Sequence, residues 1–229
     1  METANLLIVE DDVDINRLLC TILESAGYAC RAAFSGSEAL LWAEKYDYDL
    51  VLLDLMLPGV TGEDFIAQVR RGKTMPIIVV SAKLGIDDRV NVLRLGADDF
   101  IPKPFDNAEV LARVEAQLRR SRRFSAPNPG ALTAGGLTLE PDSRAVSVNG
   151  REVLLTGREF DILALLMRNP RRAFSRAQIY EAVWGEDFLG DDNTVNVHVS
   201  NLRSKLARAD PDAAYIKTVW GIGFKLADL

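Results

Sequence analysis

The chain has 229 residues, 48% hydrophobic and 26% charged, which is ordinary for a globular protein and long enough for two domains. No apolar run approaches the roughly 18 residues of a membrane span, and the N-terminus lacks the basic, then apolar, then small-residue order of an export signal. Two cysteines and a single histidine give neither a disulfide framework nor a zinc signature, so Cys20 and Cys30 are expected to be buried thiols in a reducing cytoplasm. Residues 1–123 carry 15 Lys+Arg against 20 Asp+Glu, and the rest carry 12 against 13, so any nucleic-acid surface must be local.

Asn5–Val9 is a short apolar run ending in Glu10-Asp11-Asp12, which predicts a strand that delivers acids at its carboxyl end. From Asp14 onward, Ile15, Leu18, Leu19, Ile22, Leu23 and Ala26 recur at helical spacing, and Gly27 closes the helix. Residues 28–33 read as a strand and 35–45 as a helix capped by Ser35. Leu50-Val51-Leu52-Leu53 then runs straight into Asp54, with a turn at Pro58-Gly59. Successive apolar positions fit a strand covered on both faces, as in a parallel sheet. A helix over about 62–71, a strand at 76–81, a helix over about 87–95 and a strand within 96–102 follow. The last helix of this half, about 107–120, has Val110, Leu111, Val114 and Leu118 on its buried stripe. Five strand–helix units predict an α/β fold, a doubly wound five-stranded parallel sheet.

Polar residues close several of these strands: Glu10, Asp11, Asp12, Asp54, Ser81 and Lys103 all fall on one edge of the sheet, where open α/β sheets form their crevice. Clustered carboxylates repel one another unless a hard cation with oxygen ligands lies between them, and Mg²⁺ suits such a set. A lysine and a hydroxyl beside it would surround a phosphoryl group carried on one carboxylate, which acts as a nucleophile and forms an acyl phosphate.

In this order, Glu10-Asp11-Asp12, Asp54, Ser81, Phe100 and Lys103-Pro104-Phe105 resemble the receiver domain of two-component response regulators. The resemblance implies Asp54 as phospho-acceptor, Asp11 as direct Mg²⁺ ligand, Glu10 acting through water and the Met56 carbonyl completing the protein ligands. Asp12 lies one past the usual acid pair and belongs either to the site or to the cap of the following helix. Ser81 stands at the switch hydroxyl, Lys103 at the phosphate-pairing position, and the Lys103–Pro104 bond is expected to be cis. Phe100 replaces the commoner switch tyrosine, so only ring packing can distinguish its two positions. Dimerisation is implied through Arg89, Asp98, Asp99, Glu109, Arg113 and Arg120. A phosphatase of the haloacid dehalogenase type is the rival reading, but it needs a second acid two residues beyond the nucleophile, where this chain has Met56.

Arg119-Arg120-Ser121-Arg122-Arg123 closes the first half, and Pro127, Pro129 and Gly130 mark a stiff linker. Short strands are expected at Leu137-Thr138-Leu139, Ala145-Val146-Ser147-Val148 and Val153-Leu154-Leu155, with a hairpin turn at Asn149-Gly150. Thr156-Gly157-Arg158-Glu159 is a capping-box pattern opening a helix to Asn169, and Ser175 caps a second helix through Trp184. A polar loop over 185–192 leads to a third helix, about 194–208, with Val195, Val199, Leu202 and Leu206 as its stripe. Residues 215–219 and 224–226 flank Trp220-Gly221-Ile222-Gly223 as a final hairpin.

Three helices and a hairpin make a winged helix-turn-helix. Between Asn193 and Ala209 there is no acid, and Arg203, Lys205 and Arg208 make the helix locally basic. Asn196, Ser200, Asn201 and Ser204 are short hydrogen-bonding groups suited to base edges. His198 is expected to be a helix-surface or partly packed residue, not a ligand. This half resembles the output domain of the OmpR/PhoB family through Leu155-Thr156, Glu159-Phe160, Val183-Trp184-Gly185, the 194–206 helix and Gly221-Ile222-Gly223-Phe224. Trp220 stands where many members have a wing arginine.

Together these resemblances imply a receiver at 1–122, a linker at 123–133 and a DNA-binding output domain at 134–229. A sensor histidine kinase would phosphorylate Asp54 and the receiver would dimerise when phosphorylated. The output domain would bind double-stranded DNA through Asn196, Ser200, Asn201, Arg203, Ser204, Lys205 and Thr218 and regulate transcription, with RNA polymerase as a further partner. An output domain that binds RNA or protein is the second rival.

Overall fold

A computed structural model of the chain describes residues 3–82, 85–123, 130–185 and 192–228. The chain forms two compact units, Met1–Ser121 and Arg122–Leu229.

In the first unit β1 (Asn5–Val9), β2 (Ala29–Ala33), β3 (Leu50–Leu53), β4 (Ile77–Ser81) and β5 (Asp99–Pro102) alternate with α1 (Val13–Ser25), α2 (Gly36–Lys45), α3 (Gly62–Val69), α4 (Ile86–Leu95) and α5 (Asn107–Arg123). The strands are all parallel, in the order β2-β1-β3-β4-β5. All four residues of β3 are buried, as its unbroken apolar run requires of a central strand. Strand order reverses direction between β1 and β3, which opens the crevice at their carboxyl ends. Register aligns the two strands so that Val9 lies opposite Leu53. Glu10 and Asp54, each the next residue, therefore emerge side by side.

Helix starts follow the expected chemistry. Asp12 caps α1, its Oδ1 accepting from the amides of Asp14 and Ile15, so it is the helix cap of the two roles left open for it. Ser35 and Thr61 cap α2 and α3 in the same way. A side chain at Gly62 would meet the Asp54 carbonyl at 2.5 Å, so only glycine lets α3 begin this close to the end of β3. The expected buried thiols are instead both half-buried, because they sit where α1 crosses the edge strand β2.

The second unit opens with an antiparallel sheet of β6 (Leu132–Ala134), β7 (Leu137–Glu140), β8 (Ala145–Val148) and β9 (Arg151–Glu152). Helices α6 (Gly157–Arg168), α7 (Arg176–Trp184) and α8 (Asp192–Ala209) follow, with a three-stranded sheet of β10 (Phe174–Ser175), β12 (Gly223–Leu226) and β11 (Ile216–Val219). Thr156 and Ser175 both form complete capping boxes, with Glu159 and Gln178. Gly221, at φ +73°, turns the wing hairpin.

Three further expectations are corrected by the second unit and the chain leading to it. Val153-Leu154-Leu155 is not a strand: after β9 the Val153 amide makes one last bond to the Val146 carbonyl of β8, and the chain then turns away to reach the Thr156 cap, burying Val153 and Leu155 on the way. β6 begins at Leu132, within the last two residues of the span expected to be linker, and α5 continues to Arg123. His198 is only 1% exposed, packed 5.4 Å from the Trp184 ring, because its position on α8 faces α7 instead of solvent. Residues 124–129 of the expected linker and 186–191 of the expected loop lie outside the described residues.

Candidate functional site

At the carboxyl edge of the parallel sheet, the Asp54 amide donates to the Val9 carbonyl and the Glu10 amide to the Ala33 carbonyl, which pins both backbones to the ends of their strands. Their side chains are buried. Lys103, placed by the end of β5, reaches across to both: its Nζ donates to Glu10 Oε2 and to Asp54 Oδ2, each at 2.6 Å. The Lys103 amide donates to the Ser81 carbonyl, tying the ends of β4 and β5 together beside the acids. Asp11 is exposed, yet it offers an oxygen within 4.8 Å of those of Glu10 and Asp54.

Burial raises the Glu10 carboxyl above its ordinary range, helped by the neighbouring Asp54 charge and opposed by the Lys103 hydrogen bond. Burial pulls Lys103 down, but its two carboxylate partners outweigh that and hold the ammonium above its ordinary value. One cation thus bonds two carboxylates while Asp11 stands beside them, leaving a local excess of negative charge on hard oxygen donors. That donor chemistry fits Mg²⁺.

The Met56 amide donates to Asp54 Oδ1 at 3.1 Å while the Met56 side chain is 60% exposed, so the backbone of this residue, not its thioether, faces the acid. Ser81 is fully buried at the end of β4. Phe100 is buried on β5, with the Arg89 guanidinium 5.4 Å from its ring centre. The Lys103–Pro104 peptide bond is cis.

The second candidate surface is α8 and the β11–β12 wing. Ser200, Ser204 and Thr218 are exposed, and Asn196, Asn201, Arg203 and Lys205 are half-buried. Several of the half-buried groups are held from within the domain. Asn196 Oδ1 accepts from Arg176 Nε at 2.9 Å, and Lys205 Nζ donates to the buried Glu159 at 2.6 Å. Arg203 donates to the Ile216 carbonyl at 3.1 Å and to Thr218 Oγ1 at 2.9 Å, fastening α8 to the wing. At the wing tip Trp220 is 91% exposed.

Two family descriptions match the two units in turn, "response regulator receiver domain" over residues 6–115 and "transcriptional regulatory protein, C terminal" over 150–226. The transcriptional regulatory protein ResD of Bacillus subtilis (strain 168) is 40% identical over 226 residues, covering 96% of this chain and 94% of its own. SphR of Synechococcus elongatus, named an alkaline phosphatase synthesis transcriptional regulatory protein, is 40% identical over 233 residues, covering 97% and 91%. Among solved structures, a RitR mutant superposes with a TM-score of 0.81 at 27% identity, over 99% of this chain and all of that one. The chain belongs to the OmpR/PhoB-type response regulators. It is a transcription-regulating response regulator, with a receiver and a winged-helix DNA-binding domain.

Within this response regulator the six residues expected on the receiver's dimer face are not equivalent. Arg113 pairs with Asp99 at 3.1 Å and with Glu109 at 3.0 Å, forming a connected strip from β5 to α5. Arg89 lies on α4 over Phe100. Asp98 points the other way and is 0% exposed: its carboxylate accepts from Arg70 at 2.8 Å and from the Ile77 amide at 3.0 Å, so it offers no surface to a partner. The Arg120 side chain lies outside the described residues.

Asn16, overlooked in the sequence, is 1% exposed and its Nδ2 donates to the carbonyls of Glu10 and Ala33, at 3.0 and 3.1 Å. It ties α1 to the loop that carries the acids. A polar residue on the inner stripe of an otherwise apolar helix was the available signal. On the output domain Arg208 is exposed in the last turn of α8, a basic group left off the expected contact set.

Proposed function

We propose that this response regulator is switched by transfer of a phosphoryl group from the phosphohistidine of a sensor kinase to Asp54. The observation that carries the reading is Lys103 bridging Glu10 and Asp54 beside Asp11, a cation and an acid set converging on one exposed edge. An Asp54 oxygen attacks phosphorus, the phosphorus–nitrogen bond of the donor breaks, and its electron pair stays with the donor imidazole. Lys103 then holds the charge on the phosphoryl oxygens. Glu10, Asp11, Asp54 and the Met56 carbonyl would hold Mg²⁺, which supplies charge neutralisation when bound. The same pocket supports later hydrolysis of the acyl phosphate, its own self-limiting reaction.

Ser81 turns toward the phosphoryl group and Phe100 follows by repacking under Arg89, which remodels the face built from α4, β5 and α5. Dimerisation proceeds there through Arg89, Asp99, Glu109, Arg113 and Arg120, and brings two output domains to paired DNA half-sites. Ser200, Ser204, Asn201 and Thr218 face the duplex with Asn196, while Arg203 braces the wing beside it and Lys205 is held by Glu159 within the domain. A receiver ending with α5 at Arg123 and an output domain beginning with β6 at Leu132, which narrows the expected linker of 123–133, accompany this reading. So do a cytoplasmic location and contact with RNA polymerase. Among the described residues no helix is long and apolar enough to cross a membrane.

Intact-mass analysis after incubation with acetyl phosphate tests the chemistry. One phosphoryl group should add to the wild type with Mg²⁺ and none without it. Asp54→Asn should take up none, and Asp11→Ala far less than the wild type. Equal labelling of Asp54→Asn would overturn the assignment.

A further inference from the structure

On α1 the buried stripe is Asn16, Leu19 and Leu23, two apolar residues and one amide. A buried amide is costly unless it is paired, and an apolar residue would pack the position without that cost. Asn16 is paired on every side. Its Nδ2 donates to the Glu10 carbonyl at 3.0 Å and the Ala33 carbonyl at 3.1 Å, and lies 3.5 Å from the Ile8 carbonyl. Its Oδ1 accepts from Cys20 Sγ at 3.5 Å, so a flipped amide would set oxygen against oxygen. The Asn16 backbone amide donates to the Asp12 carbonyl at 2.9 Å.

These bonds bracket Asp11. The Glu10 carbonyl belongs to the peptide group that leads into Asp11, so Asn16 fixes the plane from which Asp11 departs. On the near side of Glu10, its own amide donates to the same Ala33 carbonyl that Asn16 holds. Both peptide planes flanking Glu10 are therefore pinned. On the far side, Asp12 is held twice, by its carbonyl to Asn16 and by its carboxylate as the α1 cap. Asp11 is the exposed residue between two fixed neighbours.

We propose that Asn16 is a positioning residue of the acid site: by fixing the Glu10–Asp11 peptide it presents the Asp11 carboxylate to a divalent cation, and so sets the affinity of the site for Mg²⁺. The inference rests on reading Glu10, Asp11 and Asp54 as the Mg²⁺ site. A carboxylate already directed at the cation loses little freedom when it binds, whereas one on a loosened loop must be ordered first. Groups that orient metal ligands from behind change affinity by roughly 10–100-fold when removed. Asn16 gives its donors to backbone carbonyls alone, so it acts through the loop and not as a ligand.

The test uses the full chain and Mg²⁺ alone, with titration calorimetry in the absence of a phosphoryl donor. Asn16→Leu keeps the branched shape and removes both donors, and the Mg²⁺ dissociation constant should rise at least about tenfold. Asn16→Ala leaves room for a water in place of the amide and should raise it less. Leu23→Ala, two turns further along the same buried stripe, is the control for stability: it should lower the melting temperature and leave Mg²⁺ affinity at the wild-type value. With acetyl phosphate added, the Mg²⁺ concentration giving half the maximal labelling rate should rise in Asn16→Leu by the same factor, while the rate at saturating Mg²⁺ stays near that of the wild type. A loss of folded protein lowers the amplitude of binding and does not move its midpoint. Should Asn16→Leu fail to fold, Asn16→Ala set against Leu23→Ala decides the question. Wild-type affinity in the folded Asn16 variants overturns the proposal and leaves the acid site standing. A shift in Leu23→Ala as large as theirs overturns it too, because the effect would then follow stability. A wild type that binds no Mg²⁺ overturns the reading of the acid site itself, and the proposal with it.

Discussion

The receiver's acid edge and the output domain's third helix both gather polar residues, but they treat them oppositely. At the acid edge the charges converge: Lys103, Glu10 and Asp54 bond to one another, and Asp11 stands in the same pocket. On α8 they disperse. Lys205 turns inward to Glu159, Arg203 fastens the wing, Asn196 is held by Arg176, and Ser200 and Ser204 remain exposed. Charge at a sheet edge marks a site because the fold allows it few other partners. Charge on a helix is divided between the domain and whatever lies outside it, and residue type alone does not say in what proportion.

The largest effect that separates the two arrangements is expected from removing Lys103. Lys103→Met leaves the buried Glu10 and Asp54 carboxylates facing each other, at roughly 3–5 kcal/mol of receiver stability near neutral pH. Mg²⁺ should restore part of it, by binding the folded state alone. The pH dependence has a definite sign. A lysine whose folded pKa lies above its free value of 10.5 contributes fully below that pH and loses its contribution as pH rises through the raised folded value. Wild type and Lys103→Met should therefore converge in alkali. Denaturant titrations of the receiver with and without Mg²⁺ would decide the matter, and a variant as stable as wild type at neutral pH would mean the three groups do not act as a cluster.

Lys205→Met should cost less, about 2 kcal/mol, because the Glu159 left behind is buried but Lys205 is partly in water. The loss should appear in the melting of the output domain and not in the salt dependence of DNA binding. If instead the slope of log affinity against log salt falls by about one, Lys205 is a phosphate contact. Arg203→Ala comes next, at roughly 1–2 kcal/mol, for two hydrogen bonds between α8 and β11. It should weaken DNA binding by freeing the wing, and Arg203→Lys should recover little of it, since a lysine cannot reproduce the guanidinium fork.

How much of this was legible in the sequence follows the same division. Periodicity and caps found the five strand–helix units of the receiver and the three output helices, because each of those elements is long enough to show its period. β6, β9 and β10 are too short to read, at three, two and two residues, and Val153-Leu154-Leu155 reads as a strand because three apolar residues follow a hairpin turn. The acid edge could be read because parallel topology sends every carboxyl strand end to one side. The Arg70–Asp98 and Lys205–Glu159 pairs could not, since their partners lie 28 and 46 residues apart and nothing local marks them. His198 has one neutral reading on a surface and another in a core, and only the approach of Trp184 chooses between them.

The smallest expected effect is the most discriminating. Ser200 is exposed on α8, so Ser200→Ala should leave folding stability within about 0.5 kcal/mol of wild type. A serine reading a base edge should then lose about 1 kcal/mol on the cognate site and nothing on unrelated DNA. A serine bonded to phosphate should lose affinity equally on both, because the backbone carries no sequence. Footprinting titrations on cognate and scrambled duplexes at matched salt separate the cases. Loss on the cognate site alone places the reading face on the exposed side of α8. No loss on either duplex would shift the search along the helix to Arg208 and over to the wing, where Trp220 stands in water with no acid beside it in the sequence.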